Sequence, residues 1–183
     1  MVKRIRYADD DLLSVGVLVR LRAPSLVVGL VLGVLLSFVT SRFEQVLSEK
    51  IEVAYFIPFV VYIADSVGTQ TQNIYARDLR SGNTSFKNYL FKETLIGLLF
   101  GALFGASIGL LVMLWFGHWE LASAVGLSTF VAISFAPLVA LAITELLQLE
   151  RSDPAVGAGP IATVIQDTLS VLIYGIIASW IVL

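Results

Sequence analysis

Five long apolar runs separated by short polar segments organise this sequence. The first, residues 26–40, holds no charged residue and follows Pro24 and Ser25. Proline suits the first turn of a helix, where its missing N–H has no bond to lose, so a helix is expected to start there. Residues 41–52 form a polar connector. The second run begins at Val53, passes Pro58, and breaks its apolar pattern at Asp65, Ser66, Gly68, Thr69, Gln70, Gln72 and Asn73. That pattern predicts a long, kinked and unusually polar span. The third run, residues 89–115, carries Gly97, Gly101, Gly105 and Gly109. Their spacing lines one helix face with glycine and predicts close packing against a neighbour. His118, Trp119 and Glu120 predict a tight turn into the fourth run, residues 121–147, which contains Pro137. The last run, residues 156–182, follows the segment ERSDPAVGAGP and has Asp167 near its middle. Since roughly 20 apolar residues suffice to cross a bilayer, the runs read as five membrane helices. The expected fold is all-α: an integral membrane domain of five helices over residues 23–183, with residues 1–22 as a mixed, interfacial arm. There is no internal repeat.

The distribution of basic residues orients these spans, because Lys and Arg accumulate on the cytoplasmic side. Lys3, Arg4, Arg6, Arg20 and Arg22 precede the first span; Arg77, Arg80, Lys87 and Lys92 flank the second connection; and Arg151 precedes the last span. The opposite side has only Arg42 and Lys50. The N-terminus is therefore expected in the cytoplasm and the C-terminus outside, in a multi-pass protein of the plasma or inner membrane.

Composition narrows the chemistry. With 57% hydrophobic and 14% charged residues, the chain is too apolar for a soluble domain of 183 residues. The basic residues sit at membrane edges instead of forming a patch with interleaved aromatics, which excludes nucleic acid as a partner. There is no cysteine and one histidine, His118, so thiolate and histidine-cluster metal sites within one chain are excluded. Neither a Walker loop nor GxSxG nor HExxH occurs, and no enzymatic activity is expected.

Two carboxylates stand out. A charged residue at mid-membrane depth costs roughly 3 kcal/mol of insertion energy, so it should be paired, hydrated or line a pathway. Asp167 lies about 16 Å into the last helix at ~1.5 Å per residue, and Asp65 is similarly central in the second span. Neither has a Lys or Arg at comparable depth. Water and an imported hard cation would compensate them; a protonated Asp bonded across a helix pair is the structural alternative. Ser66, Thr69, Gln70, Thr71, Gln72 and Asn73 add oxygen-bearing groups of the kind a hydrated magnesium or calcium ion prefers, although Gln72 and Asn73 also suit a helix end at the interface. Asp153 suits a helix cap. With Glu145 and Glu150 it also makes an acidic mouth that would concentrate divalent cations.

The stretch SDPAVGAGPIATVIQD, with Asp-Pro-Ala, then Gly-Pro and a second Asp, resembles the fifth helix of MgtE-type magnesium transporters. PFVVYIADSVGTQ is similar to that family's second helix, where a Pro precedes Gly-Gly-Asn-x-Gly-Thr-Gln; Pro58, Gly68, Thr69 and Gln70 fall on matching positions. Lys92-Glu93 followed by glycines is similar to the start of its third helix. The resemblance covers roughly residues 24–183. It implies a homodimer in which the second and fifth helices of both copies line a central pore, with Asp167 holding a hydrated ion and Asp153 toward the cytoplasmic end. Two departures are visible. Ala64, Asp65 and Ser66 replace Gly-Gly-Asn, and the interval from Pro137 to Asp153 is longer than in the family. Many members also carry a cytoplasmic sensor, a helical domain and paired CBS modules, ahead of the membrane domain. About twenty-two residues precede the first span here, so the chain is expected to be the membrane domain alone. Sensor gating would then need a separate regulatory subunit.

The expected function is passive, potential-driven uptake of a divalent cation. Magnesium leads, with manganese, cobalt, calcium and zinc as the other candidates, and the metal set is Asp167, Asp65, Ser66, Thr69 and Asp153. A sodium- or proton-coupled exchanger and a non-transporting membrane sensor or partner protein are the alternatives.

Overall fold

The computed structural model of the protein describes residues 11–82, 84–149 and 154–183, without the side chains of residues 80, 147–149 and 154–160. Six helices are present among the described residues: α1 (Val15–Ser41), α2 (Glu44–Glu49), α3 (Glu52–Ser81), α4 (Phe86–Phe116), α5 (Trp119–Leu149) and α6 (Pro154–Val182). All but the short α2 are long and apolar enough to cross a membrane. The five expected spans are thus α1, α3, α4, α5 and α6, and no strand occurs among the described residues.

Local chemistry explains most of the boundaries. Gly82 and Gly117 end α3 and α4 at φ values of 79° and 72°, a left-handed conformation that glycine adopts without steric cost. His118 is exposed in the turn, and its carbonyl accepts the Ala122 N–H at 3.0 Å to open α5. Pro58 and Pro137 lie inside their helices without ending them. The first helix differs from expectation, since it begins at Val15 and puts Pro24 in its interior. The residues before Pro24 are apolar enough to continue a helix, and an unbroken backbone leaves fewer polar groups bare at the membrane edge. The Ser25 hydroxyl donates to the Arg22 carbonyl at 3.0 Å beside the proline. The polar connector before α3 also contains α2, and Phe43 between α1 and α2 lays its ring against Gly175 of α6.

Helix α5 is central, packing against α3, α4 and α6, while α1 leans on α6 from the edge. Accordingly, 50% of the apolar window of α5 is buried and only 6% of that of α1. The core joins Leu121, Val125 and Ile133 of α5 to Val53, Val60 and Ala64 of α3, Val112 of α4, and Tyr174 and Ala178 of α6. The glycine face of α4 meets α5 as expected. A Cβ at Gly97, Gly101 or Gly105 would come within 2.9, 2.7 and 2.7 Å of the backbone oxygens of Ser134, Phe130 and Gly126. Large apolar side chains such as Leu99, Leu114 and Trp180 are exposed on the outside, a surface suited to lipid.

Candidate cation site

The site is built where α3 and α6 pass each other antiparallel. At one end the Tyr174 hydroxyl, late in α6, donates to the Val53 carbonyl at the start of α3 at 2.6 Å. Near the middle, Thr163 of α6 reaches Asp65 of α3. The Asp65 carboxylate has the hydroxyls of Thr163 and of Thr69, one turn further along its own helix, beside it. Its Oδ1 is nevertheless buried without a hydrogen-bond partner. Asp167 lies one turn along α6 from Thr163, close enough to Asp65 for the two charges to act on each other. Both aspartates are partly buried, and among the described residues no Lys or Arg pairs with either.

The structure therefore brings together Asp65, Asp167 and Thr69. Ser66 is adjacent in sequence, but its hydroxyl donates to the Tyr62 carbonyl at 2.7 Å, which leaves only its oxygen lone pairs for another ligand. Thr71 faces a different helix: it donates to Glu93 of α4 at 2.7 Å in a buried pair. Gln70 and Asn73 are exposed, and α3 continues past them to Ser81. Glu145 accepts a hydrogen bond from Tyr75 at 2.6 Å. Asp153 and Glu150 lie outside the described residues.

Sequence reasoning missed Thr163 and Gln166. Their signal is nonetheless present, because Thr163, Gln166, Asp167 and Ser170 recur at helical spacing and form a polar stripe on an otherwise apolar helix. Gln166 is buried, and neither its Oε1 nor its Nε2 has a hydrogen-bond partner. It presses against Gly68, one turn from Asp65.

Chemically, the site offers oxygen donors and a local excess of negative charge. Carboxylates and hydroxyls suit hard cations, and magnesium in particular keeps several of its waters, so a few protein oxygens suffice to hold it. Among the described residues, no three His, Asp or Glu side chains of one chain gather into a metal site. Two carboxylates with hydroxyl neighbours match an ion held through its water shell better than one stripped of it.

Known proteins match this chain over most of its length. The MgtE family, described as a divalent cation transporter, matches residues 57–177, which include Asp65, Thr69, Gln166 and Asp167. A magnesium transporter MgtE of Enterococcus faecalis is 34% identical over 161 residues, covering 86% of this chain and 36% of the relative. Those of Bacillus subtilis and Thermus thermophilus are each 29% identical, covering 84% and 81% of this chain and 35% and 34% of theirs. The chain thus spans about a third of the length of these curated relatives. With five membrane-capable helices and a family match across four of them, the chain is a multi-pass membrane protein and belongs to the MgtE family.

Proposed function

We propose that this protein conducts a divalent cation, magnesium foremost, along the α3–α6 seam. The observation that carries the reading is two carboxylates, Asp65 and Asp167, within electrostatic reach of each other on two packed membrane helices, with no cationic partner among the described residues. Two like charges within reach of each other repel, and a dication between them relieves that repulsion. The relatives that match most of the chain are named as magnesium transporters, which supports magnesium as the cargo.

The working form in this reading is a homodimer whose two-fold axis runs beside α3 and α6, so that a second copy contributes a second pair of aspartates. The transport domain in this reading is residues 23–183, preceded on the cytoplasmic side by an arm of residues 1–22 whose last part continues into α1 from Val15. Asp153, which the resemblance assigns to the cytoplasmic end, belongs to the mouth in this reading, and Ser66 and Thr69 contribute oxygens near Asp65. Flow follows the electrochemical gradient: an inside-negative potential favours entry of each dication by ~4.6 kcal/mol per 100 mV.

Magnesium uptake into proteoliposomes, with and without an inside-negative potential, tests this in wild type and Asp167→Ala. Potential-driven uptake that falls to the level of empty vesicles in the variant is the expected result. Uptake that needs a sodium or proton gradient instead favours a coupled exchanger. Absence of flux for magnesium, manganese, cobalt, calcium and zinc in folded wild type sinks the transport reading and leaves the sensor or partner role.

A further inference from the structure

Most hydroxyl groups in these membrane helices satisfy themselves locally. Thr40, Ser66, Ser107, Thr129, Ser134, Thr144 and Thr168 each donate to the carbonyl four residues earlier. Such bonds let a polar side chain sit in an apolar medium at little cost. Gln166 cannot do this, because its amide lies two carbons further from the backbone and needs both donors and acceptors. It is only 3% exposed, yet both its polar atoms lack a protein partner. Buried amides are almost always hydrogen-bonded, so this one calls for a ligand.

The surroundings indicate which ligand. A Cβ at Gly68 would stand 1.6 Å from Gln166 Oε1 and 2.7 Å from its Cδ, so glycine at that position is what admits the amide against α3. Gly68 is one turn from Asp65, whose Oδ1 is also buried and unpartnered. Thr163, one turn before Gln166, stands beside Asp65. Side chains lean toward the N-terminus of their helix, which tips the Gln166 amide back toward that same level. Gln166 also borders a cavity of about 10 Å³ between α5 and α6, lined mostly by apolar side chains such as Phe135, Val139 and Ile173, with Ser170 as its other polar residue. That volume is about what one water requires.

We propose that Gln166 is a positioning residue of the cation path: its amide holds the water layer through which Asp65 and Asp167 bind a hydrated divalent cation, and Gly68 makes room for it. An amide suits this task because it orders water with a donor and an acceptor while adding no third negative charge. The inference rests on the proposed cation path along α3 and α6.

The test measures proteoliposome magnesium uptake against magnesium concentration for wild type, Gln166→Leu, Gln166→Met, Gly68→Ala and the double variant Gly68→Ala with Gln166→Ala. Leu and Met approximate the volume of Gln and remove its hydrogen bonds, so they should raise the half-saturating concentration about tenfold, as loss of a water-holding partner does at metal sites, while maximal flux is kept. Gly68→Ala should expel the amide, raise the half-saturating concentration to a similar extent and, because the displaced side chain disturbs the α3–α6 packing, also lower maximal flux. The double variant should restore maximal flux but not the half-saturating concentration. An unchanged half-saturating concentration in the folded Leu and Met variants overturns the inference, as does a loss confined to maximal flux, which indicates packing alone. If wild type itself shows no magnesium flux, the cation path fails first and this inference with it.

Discussion

The α4–α5 and α3–α6 interfaces use the same small residue for opposite ends. In the α4–α5 contact, glycine brings backbone against backbone: Gly101 and Gly105 face the carbonyls of Phe130 and Gly126, and nothing there can yield. In the α3–α6 contact, Gly68 admits the tip of a long polar side chain, Gln166, whose amide has no hydrogen-bond partner, and Asp65 one turn away has a buried, unpartnered Oδ1. The first seam is dry and self-sufficient, held by dispersion and close fit. The second is under-satisfied within one chain, which is the state expected of a surface that water and a cation complete. A membrane protein has little hydrophobic gain from pressing helices together, so a rigid seam elsewhere is what allows a polar seam to persist.

Breaking the dry seam should have the larger effect on the fold. Gly101→Val forces a side chain into the Phe130 backbone and should cost about 3 kcal/mol, read as a lower Tm and less monodisperse protein in detergent. The contrasting change at the polar seam should spare the fold and change the ion response. Asp65→Asn keeps shape and removes one of two repelling charges. Tm without magnesium should therefore stay the same or rise, while the magnesium-dependent rise in Tm shrinks. A fall in Tm without magnesium would mean that Asp65 serves packing.

Much of this contrast was legible in the sequence, for a physical reason: both the span pattern and the glycine stripe are set by spacing within one helix. Asp65 and Asp167 stood out because a charge at that depth demands compensation. What spacing could not supply was depth matching between helices. That Thr163 meets Asp65, and that Gln166 finds its room at Gly68, depends on how α3 and α6 slide past each other. Thr71 illustrates the same limit. Six residues on from Asp65 it has turned off that face, and its partner, Glu93, belongs to α4. Pro24 misled for a different reason, because the apolar residues before it carry the helix back to Val15.

The natural absence of cysteine permits a direct comparison of the two seams. Single cysteines replacing Thr163 and Thr69 on the polar seam, and Ser134 on the dry one, can be reacted with a membrane-impermeant, positively charged thiol reagent in sealed proteoliposomes, with and without magnesium. Labelling at Thr163→Cys and Thr69→Cys that magnesium suppresses, with Ser134→Cys inert throughout, is the result predicted for a hydrated cation path between α3 and α6. Equal inertness at all three positions, or labelling that magnesium leaves unchanged, would contradict it.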